Sequence, residues 1–193
     1  MGMKVAILTI SDRSHQGLRP DDGGPALQEI VLQNRWEIKS TQIVPDERTQ
    51  IRSILLHWTD RQPMDLILTT GGTGIGPRDV TPEATQDVLE KTLPGLVDLM
   101  RREGLNQTPF SPLSRGLAGV RGKTLIVNLP GNPEGARESL KTILTLLNHA
   151  HAMIQGKDHE PSSLIVSVED PAFIMSSEKG SQLDSRFLGN DGI

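Results

Sequence analysis

The segment from Leu68 to Thr85 combines two kinds of group that take part in phosphate chemistry, bare backbone and a carboxylate. It reads LTTGGTGIGPRDVTPEAT and places four glycines within six residues, with Asp79 three residues beyond the last of them. Glycines at the end of a strand let successive amide N–H groups turn toward one point, which makes a concave site for an anion. A tight strand-to-helix turn that only needs positive φ is the alternative, and the glycines alone do not separate the two.

Two common phosphate-binding motifs do not match this segment. A P-loop closes its glycine run with Gly-Lys-Ser/Thr, but no lysine occurs between residues 65 and 90. A dinucleotide fingerprint opens a helix directly, whereas the last two glycines here lead to Asp79. Thr81 before Pro82 is typical of an N-cap followed by proline at the first helical position. We therefore expect a helix N-terminus, with its dipole, just beyond a phosphate site of another kind.

Two carboxylates could make this site metal-dependent. A bare carboxylate at Asp79 would repel phosphate, but a bridging Mg²⁺ binds both groups and neutralises the charge that develops during phosphoryl transfer. Asp46, in IVPDERTQI, could supply a second carboxylate from the end of another strand. Asp46 is also well placed to cap the helix that follows it, and this residue taken alone favours the capping role.

Composition excludes several kinds of protein. A chain of 193 residues that is 35% hydrophobic can bury the core of one domain, and a net charge of -4 gives no electrostatic reason to expect nucleic acid or an anionic membrane as a partner. The absence of cysteine excludes disulfides, thiolate metal sites and a thiol nucleophile. The apolar run near the N-terminus is too short for a signal peptide or a membrane span, so we expect a soluble cytoplasmic protein.

The hydrophobic pattern indicates alternating strands and helices. Residues 4–10, 65–70 and 123–129 are almost continuously apolar, as expected of parallel strands covered on both faces. Residues 36–44 alternate more and fit a strand nearer an edge. Amphipathic segments with helical spacing separate these runs. The pattern predicts an α/β fold: a single-domain three-layer α/β/α sandwich around a mostly parallel sheet.

This topology brings the polar loops together. In open α/β sheets ligands bind beyond the carboxyl ends of the strands, and SDRS, PDE, TTGGTG and NLPGNP each follow a predicted strand. Residues 93–122 are less regular and fit a short helix followed by a loop that ends in PLSRGLAGVRG. Beyond residue 156 the pattern fades, so we assign residues 1–156 to one domain and residues 157–193 to a C-terminal extension.

The ordered motifs resemble the molybdopterin adenylyltransferases of the MogA and MoaB type, which also occur as a domain of gephyrin-like proteins. LTISDR, VPDE, TTGGTGIGPRDVTPEAT, LSRG and NLPGNPEGARESL follow one another between about Lys4 and Ile154. The resemblance implies a homotrimer or a hexamer that acts on small molecules. It also implies Mg²⁺-dependent transfer of AMP from ATP to the terminal phosphate of molybdopterin, with release of pyrophosphate.

The resemblance also implies roles for individual residues. Asp46 and Asp79 match the aspartates implicated in catalysis, and we assign both to Mg²⁺. The implied phosphate-binding residues are Gly71, Gly72, Thr73 and Gly74. The implied substrate-binding residues are Ser11, Ser114, Arg115, Asn128, Pro130, Gly131 and Asn132.

Some features leave alternatives open. Gly23, in DDGGPAL, stands where many members of the family carry a serine, so any role of that side chain is lost. Arg78 and Arg115 could each pair with a substrate phosphate or be solvated. The alternatives to the transferase are a molybdopterin-binding paralogue without activity, a nucleotide pyrophosphatase of related fold and a trimeric scaffold.

Overall fold

A six-stranded mixed sheet forms the centre of the protein. The structure is a computed structural model that describes residues 2–156, so the predicted C-terminal extension lies outside the described residues. The strands, in chain order, are β1 (Lys4–Ile10), β2 (Glu37–Val44), β3 (Leu66–Thr70), β4 (Lys91–Thr92), β5 (Ala118–Arg121) and β6 (Thr124–Leu129). Their order in the sheet is β2-β1-β3-β6-β5-β4. The first four strands in this order run parallel, whereas β5 pairs antiparallel with β6 and β4 pairs antiparallel with β5.

Helices cover both faces of the sheet. They are α1 (Asp12–His15), α2 (Gly23–Gln33), α3 (Arg48–Leu56), α4 (Thr81–Gln86), α5 (Pro94–Gly104) and α6 (Pro133–Ile154), with a π-helical turn at His57–Arg61 and a 3₁₀ turn at Ser111–Leu113. One apolar core joins the sheet to α2, α5 and α6, and a second joins it to α3 and α4. The predicted three-layer sandwich is confirmed. None of the helices within residues 2–156 is both long enough and apolar enough to cross a membrane.

The burial of β1 explains why a continuous apolar run correctly predicted this strand. Val5 and Ile7 belong to the core beneath α2 and α6, while Ala6 and Leu8 belong to the core beneath α3. A strand covered on both faces needs apolar residues at every position, which produces a continuous run. The edge strand β2 is mostly exposed and alternates instead, as predicted.

The prediction that residues after the 3₁₀ turn form only a loop is wrong. Ala118–Arg121 form β5, which pairs with β6 on one side and with β4 on the other. Strands of two and four residues are too short to show a period of two, and β5 contains a glycine that weakens the strand signal. The predicted helix in this region is present as α5.

Candidate active site

Four loops meet beyond the carboxyl ends of the parallel strands, as the topology predicts. They line a cavity of about 460 Å³, which we call the loop cavity. Its lining includes Ser11 after β1, Asp46 after β2, Gly71, Gly72 and Asp79 after β3, and Gly131 and Asn132 after β6. Residues from all four loops, far apart in sequence, therefore line one cavity.

Two further cavities adjoin the loop cavity. The junction cavity, of about 410 Å³, shares Gly72, Asp79 and Gly131 with the loop cavity and adds Thr73, Gly74 and Ser114. The helix cavity, of about 370 Å³, lies between α5 and α6, and its lining includes Ser114, Asn128, Pro130 and Asn132. The predicted site residues other than Arg115 thus line a chain of three neighbouring cavities.

The backbone at the start of the glycine loop requires glycine at two positions. Gly71 has φ of 101° and Gly72 has φ of 61°, both in the region that L side chains rarely adopt. A Cβ atom at Gly71 would overlap the carbonyl oxygen of Ile10. A Cβ atom at Gly72 would overlap the Thr81 hydroxyl and lie 2.9 Å from Oδ1 of Asp46. The tight-turn interpretation is therefore correct for these glycines, and it does not exclude a phosphate site.

Thr81 fixes this turn and does not cap a helix, so the N-cap prediction is wrong. Helix α4 begins at Thr81, and Val80 precedes it without a side-chain cap. The Thr81 hydroxyl donates to the carbonyl of Gly71 at 2.9 Å, and its N–H donates to the carbonyl of Gly72 at 3.1 Å. Because that N–H already has a partner, and α4 is short, the helix start offers less to an anion than the sequence suggested.

Arg115 braces the second half of the glycine loop. Its N–H donates to the carbonyl of Thr73 at 2.8 Å, and its Nε donates to the carbonyl of Gly74 at 2.7 Å. Its remaining guanidinium nitrogens bond to the carbonyl of Asp79 at 2.8 Å and to the carboxylate of Glu83. The side chain is therefore not simply solvated, and most of its donors hold the backbone around Asp79.

The carbonyl groups of the glycine loop are occupied, whereas most of its N–H groups are not. Among residues 2–156, no group accepts from the N–H of Gly72, Thr73 or Gly74. The N–H of Gly71 differs, because it donates to the carbonyl of Leu129 at 3.3 Å. Three of the four predicted phosphate-binding residues therefore keep an unpaired main-chain donor in the walls of the loop and junction cavities.

Asp46 does not cap α3, so the capping alternative is wrong. The N-cap of α3 is Glu47, which makes no side-chain cap bond. The Asp46 carboxylate instead accepts from the N–H of Asp12 at 2.9 Å, and the Asp12 carboxylate accepts from the N–H of Asp46 at 3.0 Å. This reciprocal pair joins the loops after β1 and β2. It spans 34 residues, which is why local sequence favoured the cap.

Arg78 connects the third loop to this pair. Its guanidinium forms two hydrogen bonds of 3.0 Å to the Asp12 carboxylate, and it also forms an ion pair of 2.8 Å with Glu47. The Arg78 guanidinium, helped by the N–H of Asp46, lowers the pKa of the Asp12 carboxyl. Arg78 therefore links protein loops, a role that neither sequence alternative anticipated.

The charges around Asp46 fit a divalent cation. Burial raises the pKa of the Asp46 carboxyl, and the negative charges of Asp12 and Asp79 raise it further, against the opposing effect of the hydrogen bond from Asp12. Asp79 accepts from the N–H of Gly76 at 2.7 Å and lines the same cavity. No group of three or more His, Asp or Glu residues within residues 2–156 could hold a metal alone. A cation here would complete its shell with substrate oxygens and water, as Mg²⁺ commonly does.

The predicted site residues in the loops after β1 and β6 also form hydrogen bonds within the protein. Ser11 caps α1 by accepting from the N–H of Ser14 at 3.2 Å, and Asn132 caps α6 by accepting from the N–H of Glu134 at 3.2 Å. The carbonyl of Pro130 accepts from the hydroxyl of Thr70 at 2.7 Å. These contacts fix the loop ends that border the cavities.

Asn128 is tied into the sheet. Its Nδ2 donates to the hydroxyls of Thr69 and Thr85, each at 3.0 Å, and its Oδ1 accepts from the N–H of Leu117 at 3.0 Å. The side chain is buried and both amide hydrogens are used. Ser114 differs, because its hydroxyl oxygen accepts only a long 3.4 Å bond from Gly116 and its proton has no acceptor among the described residues.

Arg19 also lines the loop cavity, although its sequence motif does not mark it as a site residue. It lies in the segment between α1 and α2, directly before Pro20. An arginine in a loop at the carboxyl edge of the predicted sheet was the available signal, although nothing local indicated where its side chain lies.

Comparison with known proteins agrees with the motifs. The family described as "Probable molybdopterin binding domain" matches residues 6–149. A molybdopterin adenylyltransferase of Helicobacter pylori is 42% identical over 155 residues, covering 79% of this chain and 88% of that protein. The molybdenum cofactor synthesis protein cinnamon of Drosophila melanogaster is 45% identical over 152 residues. That match covers 77% of this chain but only 25% of cinnamon, so this chain corresponds to a part of the longer protein.

Solved structures agree as well. The crystal structure of the molybdopterin biosynthesis enzyme MoaB from Thermus thermophilus is 50% identical, with a TM-score of 0.76, and the match covers 80% of this chain and 98% of that one. The sequence match, the sheet and the loops at its edge lead to the same assignment. The chain belongs to the MogA/MoaB family of molybdopterin-binding domains.

Proposed function

We propose that this protein is a molybdopterin adenylyltransferase that acts in molybdenum cofactor biosynthesis. In the reaction, an oxygen of the molybdopterin terminal phosphate attacks the α-phosphorus of ATP. The bond between that oxygen and the α-phosphorus forms, the bond from the α-phosphorus to the bridging oxygen of the β-phosphate breaks, and pyrophosphate leaves with the electron pair. The products are adenylylated molybdopterin and pyrophosphate. The name of the Helicobacter pylori relative supports this assignment.

The observation that carries the proposal is that the same cavity is lined by main-chain N–H groups without an acceptor among the described residues and by two carboxylates. Gly72 brings its free N–H to the loop cavity, which is also lined by Asp79 of the same loop and by Asp46 of the loop after β2. Thr73 and Gly74 continue the donors into the junction cavity. Amide donors suit phosphate oxygens, and carboxylates suit a hard cation bound to the same phosphates.

Asp46 and Asp79 would hold the magnesium ion of the proposed reaction. A magnesium ion held by these carboxylates would offset the negative charge of the triphosphate. The raised pKa of the Asp46 carboxyl, caused first by burial and then by its acidic neighbours, indicates a site that gains from an added positive charge.

The three cavities suggest how the two substrates are arranged. We place the triphosphate in the loop cavity and the pterin of molybdopterin in the helix cavity. The attacking phosphate would then reach the α-phosphorus through the junction cavity, which shares residues with both. Ser114 lines the helix and junction cavities, and its hydroxyl proton can donate to the pterin-side substrate.

The chain's own residues align two anions and do not supply a nucleophile. Thr81 and Arg115 hold the carbonyls of the glycine loop, so its N–H donors are positioned before the substrate arrives. Such preorganised donors stabilise charge without reorganising during the reaction. The homotrimeric assembly and the cytoplasmic location that the sequence led us to expect belong to this proposal.

The proposal is tested by incubating the purified protein with ATP, Mg²⁺ and molybdopterin and separating the products. We expect adenylylated molybdopterin and pyrophosphate in equal amounts, and no product when a chelator removes the metal. AMP and pyrophosphate without the adenylylated pterin would indicate a pyrophosphatase instead. Binding of molybdopterin without consumption of ATP would indicate an inactive paralogue.

A further inference from the structure

The loop cavity combines a strongly acidic lining with one cationic side chain. Among the described residues that line it, four are aspartates and Arg19 is the only one with a positive charge. A triphosphate is itself highly anionic, and one divalent cation does not neutralise both the ligand and these acids. A cation that contacts the phosphates directly would reduce the remaining repulsion.

The guanidinium of Arg19 is also available. No residue between 2 and 156 forms a hydrogen bond or ion pair with its side chain. The two other arginines near the loops are in the opposite situation, because the guanidinium of Arg78 is paired with Asp12 and Glu47, and that of Arg115 is paired with Glu83 and two main-chain carbonyls. Of these three arginines, Arg19 is the one whose guanidinium can bind a phosphate without losing a hydrogen bond or ion pair to the protein.

The backbone around Arg19 is held at both sides. On one side, the N–H of Leu18 donates to the carbonyl of Arg13 at 2.9 Å. On the other side, Pro20 restricts the conformation of the residue before it. The Asp21 carboxylate then accepts from the Thr9 hydroxyl at 2.8 Å and from the N–H of Gly24 at 3.0 Å. The segment therefore presents Arg19 from a fixed position at the cavity.

The position of Arg19 selects the part of the nucleotide that it would contact. Arg19 lines the loop cavity but neither the junction cavity nor the helix cavity. In phosphoryl-group chemistry the attacking and leaving oxygens lie roughly in line. If the attacking phosphate enters through the junction cavity, the pyrophosphate leaves on the opposite side of the α-phosphorus, away from the junction cavity and within the loop cavity that Arg19 lines.

We propose that Arg19 binds the β- and γ-phosphates of ATP and stabilises the departing pyrophosphate. This assignment rests on the proposed function, since it needs a nucleoside triphosphate in the loop cavity. Within residues 2–156 the exposed Arg19 side chain makes no hydrogen bond or ion pair, so its replacement should leave folding intact.

The test compares Arg19→Gln with Arg13→Gln by calorimetric titration with Mg-ATP, AMP and inorganic pyrophosphate. Arg13→Gln removes the same charge from the neighbouring helix α1 but from a residue that does not line the cavity. For Arg19→Gln we expect the Kd of Mg-ATP and of pyrophosphate to rise about tenfold, the effect of losing a hydrogen bond to a charged group. The Kd of AMP should stay within about twofold in both variants, because a charge that is remote from the ligand is largely screened.

A second variant adds a check on the chemistry. Arg19→Lys keeps the charge but loses the planar fork, so it should recover part of the lost Mg-ATP affinity. Equal losses for Mg-ATP and AMP in Arg19→Gln, or equal effects of Arg19→Gln and Arg13→Gln, would overturn the assignment of Arg19. If the wild-type protein binds Mg-ATP and Arg19→Gln binds it equally well, the inference alone fails. If the wild-type protein does not bind Mg-ATP, the proposed function fails together with it.

Discussion

The loop cavity and the helix cavity adjoin each other at Asn132, and each shares residues with the junction cavity, but they are built differently. The loop cavity is formed by the ends of parallel strands and carries Asp46, Asp79 and the glycine backbone. The helix cavity is formed mainly by α5, α6 and the segment between α5 and β5, and it mixes hydroxyls, amides and apolar side chains such as Met100 and Phe110. Strand ends supply main-chain donors and a few fixed acids, whereas helix faces supply varied side chains.

This difference matches the two halves of the proposed reaction. A triphosphate presents repeated charge, which main-chain donors and a cation can bind, while a pterin presents a flat ring with several polar edges. We therefore expect changes in the loop cavity to affect transfer chemistry and nucleotide binding. Changes in the helix cavity should affect only the affinity for the pterin-side substrate.

The largest effect should come from the two aspartates of the loop cavity. In Asp79→Asn and Asp46→Asn the amide oxygen can still accept from Gly76 and Asp12 respectively, but the negative charge is lost. Removing a preorganised electrostatic group typically lowers the rate about 10²–10³-fold, and we expect that loss of adenylyl transfer here. Rates measured at saturating Mg-ATP and molybdopterin, together with melting temperatures, provide the check.

The matched control for this prediction is Asp22→Asn. Asp22 lines the same cavity, and its carboxylate makes no helix-capping bond. If Asp46 and Asp79 act specifically, Asp22→Asn should not reduce transfer. A similar loss in all three variants would show that the general charge of the cavity matters and not the two assigned positions.

The next effect, on the helix-cavity side, should be smaller and confined to one substrate. Ser114→Ala removes a hydroxyl whose proton has no acceptor among the described residues. Loss of one hydrogen bond to a ligand corresponds to a rise of about five- to tenfold in KM for molybdopterin. The Kd of Mg-ATP should not change. Ser139→Ala, on the α6 side of the same cavity, is the control, and an equal rise in KM there would argue against a specific contact from Ser114.

The helices and strands could be predicted from the sequence wherever burial produced a recognisable pattern of apolar residues. Apolar runs such as 4–10 and 123–129 identified β1 and β6 because both faces of these strands are covered. The order of the loops along one sheet edge followed from topology alone. Strands β4 and β5 could not be found in this way, because β5 pairs with β6 and β4 pairs with β5, while neither strand is long enough to show a pattern of its own.

The site was less predictable, because its important contacts are long-range. The local sequence of Thr81 is typical of a helix cap, but its hydroxyl donates to the carbonyl of Gly71, which the turn brings close to it. The local sequence of Asp46 is typical of a helix cap, but its carboxylate accepts a hydrogen bond from the N–H of Asp12, which lies 34 residues away. The residue types of the site can be recognised in the sequence, but which donor meets which acceptor is decided by packing between loops.

The smallest expected effect is a change in stability, and it distinguishes a structural role of the Asp46 carboxylate from a role in the reaction. Burial, followed by the nearby negative charges, raises the pKa of the Asp46 carboxyl above its ordinary value of 3.8. A carboxyl whose pKa is raised in the folded state favours folding when it is protonated. That contribution is complete below pH 3.8 and is lost as the pH rises through the folded-state pKa. At neutral pH, without metal, ionised Asp46 therefore destabilises the protein.

Asp46→Asn should thus melt at a slightly higher temperature than the wild type at neutral pH, although it lacks activity. Measured in EDTA across a pH series, the gain should shrink as the pH falls through the folded-state pKa, because the carboxyl of the folded wild type then becomes protonated and loses its unfavourable charge. Adding Mg-ATP should reverse the order, since a ligand that binds the folded wild type more tightly than the folded variant raises the stability of the wild type more. A variant that melts lower than the wild type at neutral pH in EDTA would mean that the Asp46 carboxylate is needed for the loop structure, and the contrast between the two cavities would then be one of folding and not of chemistry.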